Sequence, residues 1–242
     1  LGPESGSVVV MDCHTGEILT MTSMPSFDPN SFSDGIGVTE YGMLRDDDHV
    51  PLRDKSLRGL YPPGSTVKPM VTLALMRAGI DPEETVGCGG GLKVGNRRFN
   101  CWNRRGHGSV NMAKAVYQSC DTYFYKMALR IGFDPIAQAA RELGMGAKFD
   151  LPVPSQSYGT GPDPQWIVGK HKRNWANFDS VNSVIGQGYV LANPLQLAVM
   201  SSGMASGKIV QPRLLYSDKK PKIESSAFPF FLGSIFTNPN LS

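Results

Sequence analysis

An α/β fold of the α+β type, antiparallel strands combined with a larger set of helices, is what the 242 residues predict, and three observations carry it. Two short runs near the start, 7–12 and 17–21, read as strands joined by the turn His14-Thr15-Gly16. An apolar run over 67–76 follows the breaker Pro62-Pro63-Gly64 and has the recurrence and length of a buried helix. From 109 to 206 helix start and stop signals recur, interrupted by one stretch rich in proline and polar residues.

The elements follow in order. Pro25-Ser26-Phe27-Asp28-Pro29-Asn30 is punctuated as a loop, and the acidic segment on to Pro51 lacks periodicity and is expected to wrap the surface. Residues 53–60 fit a short connecting helix or turn. After the 67–76 helix, Asp81-Pro82-Glu83-Glu84 offers an N-cap, a proline and carboxylates, but too little follows for more than a turn. Cys88-Gly89-Gly90-Gly91 ends it, and 92–99 form a small hairpin. Helices are predicted over 109–116, over 122–131 with a stop at Gly132, and over 135–143 with Asp134 as cap and Gly144 as stop. Residues 151–182 read as a long excursion holding Trp166 and Trp175. Asn193-Pro194 opens a last helix that runs to Ser206 and ends at Gly207.

With 40% hydrophobic residues, a chain of this length can bury a substantial core as one domain or one domain with a subdomain. The formal charge of +3 is slight, and basic residues cluster only at Arg97-Arg98, Arg104-Arg105 and 170–173, which gives no support to nucleic acid as a partner. No apolar run reaches the roughly 18 to 20 residues that span a bilayer, and no signal-peptide pattern stands at Leu1. The chain is expected to be soluble as it stands. A start at Leu1-Gly2-Pro3 without methionine reads as an internal piece of something longer.

The chemistry concentrates at Tyr61-Pro62-Pro63-Gly64-Ser65-Thr66-Val67-Lys68-Pro69. Residues three apart share a helix face, so Lys68 is expected one turn below Ser65 and within reach of its hydroxyl. A serine hydroxyl is a weak nucleophile and needs a base. Burial and the positive end of the helix dipole both disfavour a charged Lys68, which would let it take that proton. Taken alone, the same residues also read as an N-cap and a solvated lysine.

Ser65-x-x-Lys68, Ser119-Cys120-Asp121 and the stretch Gly186-Gln187-Gly188-Tyr189 to Gln196 together resemble the penicillin-recognising serine transpeptidases, most closely the transpeptidase domain of the elongation-specific class. The resemblance covers 1–215 and leaves 216–242 as a tail without it. It implies a serine β-lactamase-like fold, an antiparallel sheet with helices plus an all-α subdomain. It also implies a peptidoglycan D,D-transpeptidase in which Ser65 forms the acyl-enzyme, Lys68 is the base, Ser119 relays a proton and Asp121 orients substrate. The partners implied are peptidoglycan stem peptides, β-lactams and proteins of the cell-elongation complex. The place implied is the periplasmic face of the bacterial inner membrane, on an anchor this chain does not carry.

The family's third motif, K-[ST]-G or occasionally H-T-G on a later strand, is not found in that order. His14-Thr15-Gly16 precedes both other motifs and is rejected, as is Lys93-Val94-Gly95. The tail passes from Lys219-Lys220-Pro221-Lys222 into an apolar run at 228–236, which reads as a truncated or frame-shifted end. On that expectation the late sheet strands are missing, only the first hairpin of the sheet remains, and the 67–76 helix is left partly uncovered. Activity would then be impaired. The rival readings are a non-catalytic penicillin-binding receptor or scaffold and a zinc-stapled interaction module.

Cys88, Cys101, His107 and Cys120 form a second constellation, Cys-x12-Cys-x5-His-x12-Cys. Three thiolates and an imidazole complete a tetrahedral shell for structural Zn2+ with no position left for water. A Cys88–Cys101 disulfide and three unrelated buried thiols are the alternatives. The resemblance implies a metal at this place held by Asp, His and Cys, so that two cysteines here would stand for two aspartates.

Overall fold

The computed structural model describes residues 4–214 and 223–224. Strands β1 (Gly6–Met11) and β2 (Ile18–Met24) form an antiparallel hairpin with Val9 opposite Met21. At its turn, Asp12 Oδ1 accepts the His14 and Thr15 N–H groups at 2.8 and 2.7 Å, so His14-Thr15-Gly16 is a local turn, as expected. Those two N–H groups also hold the Asp12 carboxyl below its ordinary range.

Helix α1 (Val38–Asp46) lies in the segment expected to have no regular structure. It buries no residue, which is why no apolar period marks it. Short α2 (Lys55–Arg58) precedes a single 3-10 turn, Gly64–Val67, that runs into α3 (Lys68–Arg77). Val71 and Leu75 of α3 are fully buried, and α3 packs against the later helices α4 (Met112–Tyr117), α5 (Asp121–Ile131), α6 (Asp134–Glu142) and α9 (Pro194–Ser206). The expectation that α3 would be left partly uncovered is therefore corrected, because its cover is helical and does not depend on the sheet.

Between α3 and α4 stand two small antiparallel pairs: β3 (Val86–Cys88) with β6 (Gly108–Val110), and β4 (Gly91–Val94) with β5 (Arg97–Asn100). The helix expected over 109–116 begins later. Ser109 and Val110 pair with β3, and Asn111 caps α4 by accepting the Lys114 N–H at 3.0 Å. The cap of α6 is Phe133 rather than Asp134, which is already helical.

The excursion over 151–182 contains α7 (Pro164–His171) and α8 (Asn177–Ser183). Asp163 caps α7 ahead of Pro164, and the Asp179 carboxylate returns to the Ala176 N–H at 2.9 Å to hold the start of α8. Apolar α9 lies against β1, α2 and α3. Its end at Gly207, with φ 68°, is as predicted. Strand β7 (Ile209–Val210) pairs with β8 (Ile223–Glu224), and Arg213 meets Glu17 in a parallel bridge beside β2. Apart from 223–224, the tail at 216–242, including the apolar run over 228–236, lies outside the described residues.

Candidate active site and metal centre

Ser65 is exposed on the 3-10 turn ahead of α3, and that turn is fixed from behind. The Gly64 N–H donates to Gly186 O at 2.9 Å, while Tyr61 and Ala192 exchange backbone bonds of 3.0 Å each. A Cβ on Gly186 would stand 2.3 Å from Gly64 O, and its φ of 67° is left-handed, so only glycine permits this approach. Gly186 thus positions the Ser65 turn, a structural reason that sequence reasoning did not give. Its signal was the Gly-Gln-Gly string, which had been used only as a family likeness.

The corner between α4 and α5 brings Ser119 and Asp121 to α3. Ser119 has φ 51°, a left-handed conformation uncommon for a residue with a Cβ. In that conformation both its carbonyl and its hydroxyl face Lys68 Nζ, which donates to each at 2.9 Å. The third Lys68 bond goes to Asp121 Oδ1 at 2.6 Å, and Nζ stands 5.4 Å from the centre of the Phe124 ring. Three acceptors match the three donors of an ammonium. The Ser119 hydroxyl donates onward to Ser65 Oγ at 3.0 Å.

All four predicted catalytic residues therefore meet, with corrections. Asp121, expected to orient substrate, is buried and gives its two carboxylate oxygens to Lys68 Nζ and the Trp102 N–H. Lys68 is fully buried, but all three of its bonds go to Ser119 and Asp121, and the path from Ser65 to Lys68 runs through Ser119. The local argument of burial and helix dipole omitted a carboxylate 53 positions away in sequence. Ser65 also stands on a 3-10 turn rather than capping the α-helix.

Cys88, Cys101, His107 and Cys120 also converge, their ligand atoms all lying within 4.8 Å of one another. Gly90 and Gly106, with φ of 83° and 86°, bring the strands and the His107 loop together, since a Cβ on Gly106 would fall 2.2 Å from Cys88 O. Lys114 Nζ ties the loop to α4 through His107 O and Ser109 O at 3.1 and 2.9 Å. His107 Nδ1 lies 3.5 Å from Cys88 Sγ and 3.6 Å from Cys101 Sγ, while its Nε2 is buried without a partner. Around a tetrahedral zinc with ordinary Zn–S and Zn–N bonds, a sulfur and a nitrogen stand about 3.5 Å apart, so the donor set fits the ion. All four cysteines of the chain are free thiols.

Burial pushes the Cys88 thiol up, but hydrogen bonds from Thr122, Gly90 and His107 outweigh it and bring it down to about 6. Cys120 goes the other way, pushed up to about 12 by burial, with the Tyr123 N–H opposing and the other two sulfurs adding to the rise.

The two centres share the Ser119-Cys120-Asp121 corner, and a hydrogen bond joins them as well. The Trp102 N–H, next to Cys101, donates to Asp121 Oδ2 at 3.0 Å, while Asp121 Oδ1 holds Lys68. The Trp102 indole N–H donates to Gln118 O at 2.9 Å.

A serine on the turn into a buried helix, a lysine three positions on and a serine-containing corner facing both are the arrangement of penicillin-recognising proteins. Solved structures similar to this chain are of that class. The structure of penicillin-binding protein 2 from Pseudomonas aeruginosa in complex with WCK 5153 superposes with a TM-score of 0.85 at 36% identity, covering 95% of this chain and 53% of that one. The complex of penicillin-binding protein 2 and MreC from Helicobacter pylori gives 0.86 at 34%, covering 89% and 41%. The model of the penicillin-binding protein transpeptidase domain matches residues 6–229, and the chain belongs to that family. The peptidoglycan D,D-transpeptidase MrdA of Acinetobacter baumannii is 40% identical over 219 residues, 89% of this chain and 33% of that protein. The chain spans about a third of the length of the curated relatives it matches.

Proposed function

We propose that this chain is the acyl-transfer part of a peptidoglycan D,D-transpeptidase. The observation that carries the reading is the continuous hydrogen-bonded path Ser65–Ser119–Lys68, with links of 3.0 and 2.9 Å. Ser65 Oγ attacks the carbonyl between the two terminal D-alanines of a stem peptide. Its proton passes to Ser119 as the Ser119 proton passes to Lys68. For this Lys68 first gives up one proton, and Asp121 Oδ1 at 2.6 Å is the acceptor in place. The terminal D-alanine leaves as an amine, protonated back along the same path. The amine of a neighbouring stem peptide then takes the acyl group from Ser65, forming the cross-link and restoring the hydroxyl.

The Ser65 N–H is one oxyanion donor. The family's second comes from the strand bearing K-[ST]-G, a motif absent from this sequence, and loss of one such donor costs about a hundredfold to a thousandfold in rate. The reading therefore includes slow peptide turnover by the 242-residue chain.

Cys88, Cys101, His107 and Cys120 hold one Zn2+ in the same reading. When bound, the ion supplies a closed structural link and no open coordination position. Cys120 then fixes the Ser119–Asp121 corner from below, and Cys101 fixes the Trp102 N–H that orients Asp121.

β-Lactams acylate Ser65 as mimics of the dipeptide, a reading supported by the penicillin G acyl-enzyme solved for a Mycobacterium tuberculosis relative at 28% identity and a TM-score of 0.76. The whole protein works in a cell-elongation complex at the periplasmic face of the inner membrane, in line with the MreC complex of the Helicobacter relative. No helix among the described residues is long and apolar enough to cross a membrane. Intact-protein mass spectrometry after exposure to a labelled penicillin tests the reading. One adduct per chain is expected, absent in Ser65→Ala, and unchanged labelling of that variant would overturn the assignment.

A further inference from the structure

One residue reaches the Ser119-Cys120-Asp121 corner from both sides, and acyl transfer gives its side chain no task. Trp102 follows the fully buried Cys101, whose N–H donates to Gly90 O at 3.1 Å, so its backbone is anchored. Its own backbone N–H holds Asp121 Oδ2 at 3.0 Å, two positions after Ser119, and its indole N–H holds Gln118 O at 2.9 Å, one position before. The ring meets His107 edge to face, with centres 5.3 Å apart, and Trp102 is otherwise 64% exposed. Fixing an exposed indole costs rotamer freedom that little burial offsets here, so the hydrogen bond is what gives the ring its place.

Gln118 O and the Ser119 N–H belong to one peptide plane, and the tilt of that plane is set by ψ of Gln118 and φ of Ser119. Gln118 has ψ 0° and Ser119 has φ 51°, the left-handed region that a Cβ disfavours. Such a conformation persists only where its surroundings over-determine it. The plane is gripped at both edges: the Ser119 N–H donates to Val116 O at 3.0 Å, and Gln118 O receives the indole N–H. The first bond is local to the end of α4. The second comes from a distant part of the chain and is the one that a side chain controls. In this conformation the Ser119 hydroxyl stands 2.9 Å from Lys68 Nζ and 3.0 Å from Ser65 Oγ, and a relaxed φ would swing it away from both.

Resting on the transpeptidase reading above, we infer that Trp102 is a positioning residue for the Ser119 proton relay: by holding Gln118 O, its indole N–H keeps Ser119 left-handed and the Ser119 hydroxyl between Ser65 and Lys68. Trp102 touches no reacting atom and acts through Ser119. Its effect therefore falls on the acylation step and not on the binding of the acyl donor.

The test follows penicillin acylation of the full 242-residue chain over a range of penicillin concentrations, which separates the dissociation constant of the first complex from the acylation rate constant. Trp102→Phe keeps an aromatic ring and loses the indole N–H. It is expected to lower the acylation rate constant about tenfold and to leave the dissociation constant, zinc content and melting temperature at the parent values. Should the smaller ring disturb the fold or the metal content, benzothienylalanine at position 102 decides, since it keeps the indole shape with sulfur in place of N–H. Tryptophan delivered by the same suppression must restore the rate. An acylation rate constant at the parent value overturns the inference, and a change confined to the dissociation constant overturns it too, by making the ring a wall of the substrate cleft. A parent chain that forms no adduct at Ser65 sinks the transpeptidase reading instead, and hydrogen exchange then decides the inference. The Ser119 and Cys120 amides, which donate to Val116 O and Ala115 O at 3.0 and 2.9 Å, should exchange about tenfold faster in Trp102→Phe, and equal exchange would overturn it.

Discussion

Lys68 and Asp121 show what a single pair contributes. Both side chains are removed from water, with relative exposures of 2% and 12%, and the 2.6 Å contact compensates two charges that would otherwise be costly to bury. Removing one partner leaves the other charge unanswered, so Asp121→Ala is expected to destabilise the chain by about 3 to 5 kcal/mol. Adding Lys68→Met should recover much of that loss, because the uncompensated ammonium goes with it. Urea denaturation of both single variants and the double variant checks this, and additive losses would show that the pair is not coupled. The identities of Ser65, Lys68, Ser119 and Asp121 were legible in sequence because each stands in a short string whose spacing has a chemical reason. How they are wired was not, since Ser119 and Asp121 reach Lys68 only after α5 has packed on α3.

Among the elements, α9 was the most legible because its limits are written in local chemistry. Asn193 accepts the Gln196 N–H at 2.9 Å, and Gln196 Oε1 accepts the Asn193 N–H at 3.1 Å, closing a capping box ahead of Pro194. Asn193 Nδ2 also donates to Leu57 O at 3.1 Å and Ser157 O at 2.6 Å, which joins α2 and the 151–163 loop to the helix start. Asn193→Ala removes the cap and the donor to Ser157 O, while Leu57 O keeps the Ser157 N–H at 3.0 Å, so a loss of about 2 to 3 kcal/mol is expected. Asn193→Asp keeps the cap oxygen but turns its other carboxylate oxygen on the Leu57 and Ser157 carbonyls in a buried site, and should melt no higher than the alanine variant. A cap variant as stable as the parent would mean that the box contributes nothing. Helices α1, α7 and α8 were missed for a physical reason: α1 buries nothing, while α7 and α8 are short and set among prolines and polar residues. The strand pairing of β6 with β3 was missed because Ser109 and Val110 suit either state until a partner strand settles it.

At the scale of the molecule, two measurements bear on the whole chain: what a second oxyanion donor adds, and how the cluster of three cysteines and a histidine and the candidate active site depend on each other. Appending strands that carry Lys-Thr-Gly should raise transpeptidation of a model stem peptide by about a hundredfold or more, because a second oxyanion donor is restored. Equal rates with and without those strands would remove the motif from the account. The second measurement concerns stability and activity together. Cys88, Cys101, His107 and Cys120 come from β3, the end of β5, the loop before β6 and the start of α5, so their ligand atoms converge only once these elements have packed. An ion bound there adds its binding free energy to folding. The same packing sets the Trp102 N–H against Asp121 Oδ2, and through Asp121 it sets Lys68. Cys101→Ser should therefore lower the melting temperature and the zinc content, and it should also slow penicillin acylation of Ser65, although Cys101 touches no catalytic atom. Elemental analysis of protein purified without chelator checks the first part, with less than about 0.2 zinc per chain counting against a tight site. Acylation kinetics check the second. A variant that loses its zinc and melts earlier yet acylates at the parent rate would separate the staple from the active site, and would place the control of Asp121 in the hydrogen-bonded corner alone.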